Sequence, residues 1–320
     1  MRRTVLVTGG RGYLGGRIAT AILHHTDNHV RIGSRRPGPA PTWLPEAQTV
    51  TMDVLEPDTL TAALDGAWSV VHLAATNENE SLSSPERALQ VNTLGTQYML
   101  QAAIRAGVER FIYFSTAHVY GAPLVGKITE QTLPRPVHPY AITHRAAEDY
   151  VLAAHDQKQI TGLVVRLSNG LGVPTHANVD RWTLLANDLC RQATQTHTLV
   201  LRSSGLQQRD FITLHDVGRA VCHLLALPRD ASGDGLFNLG SEASLAVWSI
   251  AQRIAARCQA TLGFTPTVVR PELPTVDGGM ELHYSMEKLR RTGFSLTGNI
   301  DVELDATLRL CAREFAAKPL

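Results

Sequence analysis

The sequence predicts an α/β fold, a doubly wound parallel sheet with a smaller C-terminal lobe. Three observations predict it. Short β-branched runs alternate with longer amphipathic stretches through the first half of the chain. A glycine-rich segment joins the first of these runs to the first amphipathic stretch. After Leu167 the alternation gives way to an irregular pattern.

The elements follow in order. Residues 4–8 read as a buried strand, and residues 13–24 as a helix with Leu14, Ile18 and Ile22 on one face. Residues 30–34, 49–53, 70–73, 111–115 and 163–167 read as further strands, with helices over 59–64, 86–106 and 140–155. Such alternation implies right-handed crossovers and a parallel sheet covered on both faces. Residues 168–178, rich in Gly, Pro and Asn, read as a boundary. Helices over 182–193, 216–227, 246–258 and 300–315 follow, with short strands at 199–201 and 237–239.

Composition narrows the function. Of 320 residues, 44% are hydrophobic and 18% charged, which is ordinary for a globular chain and excludes disorder. A formal net charge of +1 gives no electrostatic case for nucleic acid or an anionic membrane as partner. Cys190, Cys222, Cys258 and Cys311 form no CxxC pair, so neither a disulfide framework nor a zinc site is expected, and a cytoplasmic location is. The other histidines, such as His24 and His25, show no metal-ligand grouping, so no metal is expected. The apolar run after Arg2 and Arg3 stops at Val7, so no signal-peptide core forms, and no stretch approaches membrane-spanning length.

The segment Thr8-Gly9-Gly10-Arg11-Gly12-Tyr13-Leu14-Gly15-Gly16 fits GxGxxG from Gly10 and GxxGxxG from Gly9. Glycines permit a tight turn and a close backbone approach to phosphate, and the following helix N-terminus adds free donors. A plain turn is the competing reading, but the position after a strand and before a helix favours a dinucleotide site. The fold class is therefore a Rossmann-type sheet. Residues 1–168, with late elements from 206–236, would form the dinucleotide-binding domain, and residues 169–205 and 237–320 the substrate-binding lobe. In an NAD site an acid at the end of the second strand holds the adenosine ribose. Here that place carries Ser34, Arg35 and Arg36. These suit a 2′-phosphate and lean the choice towards NADP over NAD, unless the arginines are merely exposed.

Several segments, taken in order, resemble the extended short-chain dehydrogenase/reductase family, the NAD-dependent epimerase/dehydratase group. The glycine loop is similar to its TGGxGxxG. Asp53-Val54 resembles the acidic pair beside the adenine, and His72-Leu73-Ala74-Ala75 the HxAA strand end that lines the cofactor. Val91-Asn92-Thr93-Leu94-Gly95-Thr96 resembles VNxxGT, whose Asn has a structural role beside the cofactor. Residues 114–121 resemble SSxxVYG, residues 166–172 RxxNxYG, and residues 209–217 RDFIxVxDV. The resemblance implies cofactor contacts from Gly9, Gly12, Tyr13, Leu14, Gly15, Ser34, Arg35, Asp53, Val54, Leu73, Ala74, Ala75, Asn92, Tyr140 and His144.

The family's catalytic set is Ser or Thr with Tyr-x-x-x-Lys. Thr116 and Tyr140 match the first two, but the lysine position holds His144. A carbinol gives up hydride only as its proton leaves, and a tyrosine serves as base if its pKa falls from about 10. An ammonium one helical turn away promotes that fall. Histidine, with an unperturbed pKa of about 6.5, is largely neutral near pH 7 and is shorter. Two expectations follow. Either His144 bonds Tyr140 or the ribose and the enzyme works, with a lower pH optimum, or the chain binds cofactor with little redox turnover. His118 is either an extra acid or base or a polar residue on the cleft wall.

The resemblance implies a nucleotide-sugar substrate. Asn169 and Arg209 match the residues that bind its pyrophosphate, although Arg209 beside Asp210 also reads as a surface ion pair. Thr116, His118 and Tyr140 would face the sugar. A second phosphate-clamping arginine is lacking in residues 270–279 unless Arg270 takes that place. The expected activity is that of an epimerase or dehydratase, the alternative an NADPH-dependent ketoreductase on a deoxysugar or small ketone. A homodimer through the helices at 86–106 and 140–155 is also implied.

Overall fold

A computed structural model describes residues 2–271 and 280–316. Among these, the chain opens with β1 (Thr4–Thr8), α1 (Tyr13–His25), β2 (His29–Ser34), β3 (Gln48–Thr51), α2 (Pro57–Leu64) and β4 (Ala67–His72). Next come α3 (Glu78–Ser83), α4 (Pro85–Ala88), a π-helical turn (Leu89–Leu94), α5 (Gly95–Arg105) and β5 (Arg110–Thr116). A 3-10 turn (Ala117–Tyr120), β6 (Gly126–Ile128), α6 (Pro139–Asp156), β7 (Thr161–Leu167) and β8 (Asn169–Leu171) follow. Then come α7 (Leu185–Thr196), β9 (Thr198–Val200), β10 (Gln208–Thr213), α8 (Leu214–Ala226) and β11 (Leu236–Leu239). The chain closes with β12 (Ser244–Ala246), α9 (Val247–Leu262), β13 (Thr267–Val269), β14 (Leu282–Tyr284), α10 (Glu287–Arg291) and α11 (Ile300–Phe315). No described helix is long and apolar enough to cross a membrane.

The central sheet has seven parallel strands in the order β11-β7-β5-β4-β1-β2-β3. Strand side chains alternate between its faces. Val5, Val7, Ile112, Phe114, Leu163 and Val165 pack on one face with α1 and α8. Leu6, Val70, Phe111, Tyr113 and Val164 pack on the other, under residues of α2, α5 and α6 such as Leu60, Met99 and Val151. The strand order reverses between β1 and β4, which opens a crevice beyond their carboxyl ends. A third cluster, with Leu189, Ile250, Ile254, Leu304 and Leu308, forms where α7, α9 and α11 meet.

Three departures from the sequence reading bear on the site and its supports. The helix expected over 86–106 is broken by the π-helical turn, in which Asn92 turns inward to bond two neighbouring segments. The helix expected from residue 182 starts at Leu185, because the Trp182 indole donates to the Ala177 carbonyl (2.8 Å) from the preceding loop. Residues 237–239, assigned to the lobe, belong to β11, the edge strand of the large sheet, paired with β7.

Two buried carboxylates fix the supports of the crevice. Glu303 on α11 accepts from Arg17 on α1 (2.6 Å) and from the backbone N–H groups of Val173 (3.1 Å) and His215 (3.0 Å). Glu148 on α6 accepts from Arg166 on β7 (2.7 Å), Ser115 on β5 (2.5 Å) and Arg145 (2.9 Å). Arg166 is as buried as its partner, and its guanidinium lies 4.6 Å from the centroid of the Tyr120 ring. Removing one member of such a pair leaves an uncompensated buried charge. Glu148→Ala should therefore lower the unfolding free energy by about 3–5 kcal/mol in equilibrium denaturation, and replacing Glu148 and Arg166 together by Met should cost less. A Glu148→Ala loss below about 1 kcal/mol, the worth of an exposed pair, would contradict this.

Candidate active site

The crevice is a cleft of about 730 Å³ that runs from the glycine loop to the start of α7. Its floor at one end is backbone. Gly9 has φ +65°, a region that disfavours side chains, and Gly12 N–H donates to the Gly9 carbonyl (2.9 Å). A Cβ on Gly15 would run into the Gly9 carbonyl oxygen. Helix α1 starts from Gly12 with no side-chain cap and no acid in its first turn, so its first N–H groups and positive end serve the cleft. Thr8 Oγ1 accepts from the backbone N–H groups of Leu73 (3.1 Å) and Ala74 (3.2 Å), which pins the end of β4 beside this loop. Tyr13, Leu14, Ser34, Arg35, Asp53, Val54, Leu73, Ala74 and Ala75 line the same cleft. The glycines, the uncapped helix and these walls fit a dinucleotide: a cradle that any side chain would fill, with free donors for a pyrophosphate.

Asn92 differs from its expected position. It lies buried behind the wall, where its amide donates to Thr143 Oγ1 (3.0 Å) and its carbonyl accepts from Thr76 N–H (2.8 Å). It braces the first turn of α6 and does not itself line the cleft. Arg11, from within the glycine loop, lines the cleft and donates to the Pro39 carbonyl (2.8 Å).

The structure brings Thr116, Tyr140 and His144 to one wall. Thr116 ends β5, and its hydroxyl caps the 3-10 turn by accepting from His118 N–H (3.2 Å). Helix α6 starts at Pro139, with His138 Nδ1 accepting from Tyr140 N–H (3.1 Å). Tyr140 and His144 sit one turn apart, their ring centroids separated by 4.4 Å. Burial pushes the Tyr140 phenol above its usual pKa, Glu78 pushes it further, and Arg181 opposes both. Burial first, and the Arg181 charge second, lower His144 to about 3, against a small opposing effect of the Phe114 carbonyl. Burial therefore favours the neutral imidazole, which argues against a charged His144 as the source of a lower pH optimum.

The substrate end is built by side chains. Asn169 donates to the Asp210 carbonyl (2.8 Å) and lines the cleft with Arg209 and His118. The surface-pair reading of Arg209 fails, because the buried Asp210 carboxylate is held by Ser168 Oγ (2.5 Å) and by Ser241 Oγ (2.9 Å). Arg270 lies over the Trp248 ring at 4.1 Å and does not line the cleft, so it is no second phosphate clamp here. The rest of that expected segment, residues 272–279, lies outside the described residues. Sequence reasoning missed Glu78 and Arg181, which face each other at 3.6 Å within the cleft lining. No motif marks either one.

A glycine cradle joined to a Thr/Tyr wall defines a dinucleotide-dependent oxidoreductase site. The chain belongs to the NAD dependent epimerase/dehydratase family, which it matches over residues 5–240, and it is an enzyme of that type. It is 26% identical over 307 residues to dTDP-glucose 4,6-dehydratase of Streptomyces niveus, covering 91% of this chain and 87% of that one. Two solved structures, each 25% identical and with a TM-score of 0.78, are similar over 98% of this chain and 100% of theirs. One is MoeE5 in complex with UDP-glucose and NAD, the other RMD from Pseudomonas aeruginosa complexed with NADPH.

A neutral His144 has a kinetic consequence. The pH profile of kcat/KM should carry no limb from His144 between about pH 5 and pH 8, so wild type and His144→Gln should share one profile shape at different heights. An acid limb present in wild type and missing from His144→Gln would contradict the burial argument.

Proposed function

We propose that the protein is an NAD(P)-dependent nucleotide-sugar epimerase or dehydratase-type oxidoreductase that works with a Thr116/Tyr140/His144 set. The observation that carries this reading is the single cleft in which these three residues stand at one end and the glycine cradle at the other. The dinucleotide, when bound, supplies the hydride acceptor and donor. Tyr140 exchanges the carbinol proton while the Thr116 hydroxyl holds the same oxygen. His144 orients Tyr140 and the cofactor ribose. Asn169 and Arg209 grip a substrate pyrophosphate, a role suited to a guanidinium whose neighbouring acid is engaged elsewhere. His118, exposed on the cleft wall, faces the sugar. The nucleotide-sugar class is supported by MoeE5, a similar chain solved with UDP-glucose.

A second reading has its own support. A phenol held above its usual pKa is a better proton donor to a developing alkoxide than a base. That favours an NADPH-dependent ketoreductase acting on a deoxysugar or small ketone. Ser34, Arg35 and Arg11 at the adenosine end favour a 2′-phosphate, with no acid at the end of β2.

In this reading residues 1–168 and 206–236, extended by β11, form the cofactor domain, and the remaining residues the substrate lobe. Leu89, Leu94, Ile142 and Tyr150 leave apolar surface on the π-helical turn and α6, which supports a homodimer packed through these elements. Four free cysteines suit a reducing, cytoplasmic location.

Five measurements test the proposal. Tyr140→Phe should lower kcat on nucleoside diphosphate sugars by about 100-fold or more. Arg209→Ala should raise KM by about tenfold or more with a smaller change in kcat. Wild type should turn over on such a panel, and near-zero activity rescued by His144→Lys would overturn the catalytic role of His144. Purified epimerase should carry nicotinamide absorbance, whereas a reductase should consume NADPH stoichiometrically. For the cofactor, Arg35→Asp should shift the NADP/NAD affinity ratio towards NAD by about tenfold or more, and an unchanged ratio would remove Arg35 from the 2′-phosphate site.

A further inference from the structure

His144 is held from behind by a residue that no motif singles out. Alternate side chains of β5 face α6, and Tyr113 and Ser115 are two of them. Ser115 is engaged by Glu148. The Tyr113 hydroxyl lies 2.7 Å from His144 Nδ1, and the two rings are stacked with centroids 5.8 Å apart. Both side chains are buried, Tyr113 at 2% and His144 at 3% exposure.

Neighbouring groups fix the direction of this bond. Thr8 Oγ1 already accepts from two backbone N–H groups, so its proton goes to His72 Nδ1 (2.8 Å). His72, kept neutral by burial, therefore carries its proton on Nε2 and donates to Thr96 Oγ1 (3.1 Å). Thr96 in turn donates to the Asn92 backbone carbonyl (2.6 Å). The Thr96 hydroxyl, whose proton is directed to Asn92, also bonds Tyr113 and lowers its pKa, but burial, together with Glu148 and Tyr140, outweighs it and keeps the phenol protonated. A separation of 2.7 Å suits an O–H donor better than an N–H donor. Tyr113 thus donates to Nδ1, and the proton of the neutral imidazole sits on Nε2.

That Nε2 is buried, makes no hydrogen bond of normal geometry among the described residues even though the Phe114 carbonyl favours the protonated ring, and belongs to a side chain that lines the cleft. A buried N–H left unpaired is costly, so it gains a partner when the cleft is filled. We propose that Tyr113 is a positioning residue that locks His144 as the Nε2–H tautomer and presents that N–H as a fixed neutral donor to a ribose hydroxyl of the nicotinamide cofactor. The inference rests on the reading of the cleft as a cofactor site and adds a residue and a protonation state to it. A neutral donor needs no counter-charge in a buried wall, which is how a histidine takes a position where the family carries an ammonium.

The test uses the full chain labelled with ¹⁵N-histidine, with His144→Gln to assign the resonance. In the unliganded wild type, His144 Nδ1 should resonate as a bare acceptor and Nε2 as a protonated nitrogen. Tyr113→Phe removes one oxygen and keeps the ring. It should leave His144 in mixed tautomers and weaken NADH or NADPH binding, read by fluorescence titration, by about tenfold, the worth of one well-placed hydrogen bond. A wild-type His144 protonated on Nδ1 would overturn the proposal. So would a Tyr113→Phe protein with unchanged tautomer and unchanged affinity, because Tyr113 would then serve packing alone. Neither readout needs turnover, so a protein that binds cofactor without reacting overturns the catalytic reading and leaves this one standing.

Discussion

Glu148 carries a negative charge into the dry space between α6, β5 and β7, and the position of the catalytic wall follows from how that charge is satisfied. Its oxygens are taken by Arg166, Ser115 and Arg145, one from each neighbouring strand and one from its own helix. Desolvating these groups costs several kcal/mol per ion, roughly, and only saturated hydrogen bonding offsets it. The pair therefore adds little net stability but tolerates few alternative geometries. Helix α6 can lie on the sheet in one register, with Ser115 opposite Glu148 and Tyr113 opposite His144. Tyr140, a turn further towards the N-terminus, lines the same cleft as Thr116 at the end of β5.

The same dryness decides the chemistry of position 144. A lysine would bring a charge into this wall and stabilise a phenolate by attraction. The histidine found here loses its charge to burial, so it contributes direction rather than field. Tyr140 then feels only Glu78 and Arg181, whose opposite charges act against each other from across the cleft. With no net cation nearby the resting phenol stays protonated. Proton donation to a carbonyl oxygen is the easier half of the reaction in such a site, and proton removal from a carbinol the harder.

Most of the fold was legible because it rests on local periodicity. Residues 4–8 and 300–315 match β1 and α11 to the residue, β2, β5 and β7 extend the expected strands by one or two residues, and β4 starts three residues before the expected strand and ends one residue short of it. What escaped was short or non-local. Strands of three residues, such as β6, β8 and β12, carry no readable period, and their pairing is decided by the sheet they meet. The break in the helix at residues 89–94 is invisible to periodicity because its cause is the Asn92 side chain bonding Thr76 and Thr143. Within the site, the motif residues were legible because their spacing carries the signal. Tyr113 was not, since one more aromatic in a buried strand reads as core, and its hydroxyl gains meaning only beside His144.

The two ends of the cleft are held by different physics, and this governs what substitution can change. The cradle is shaped by backbone: Gly9 by its positive φ, Gly15 by the Gly9 carbonyl that a Cβ would strike, and Gly12 by a tight approach to the same carbonyl, so it tolerates little variation. The catalytic and substrate ends are shaped by side chains that hold one another: Thr8, His72 and Thr96 behind the wall, Tyr113 behind His144, Asp210 turned away from Arg209. A side-chain network can be re-written one member at a time if a neighbour changes with it. Histidine at 144, where the family motif has lysine, is such a change under the proposed function, with Tyr113 as the neighbour proposed to support it. Under the proposed function, the rigid cradle would preserve cofactor binding, and the network in front of it would decide between transient oxidation of a sugar and reduction of a ketone.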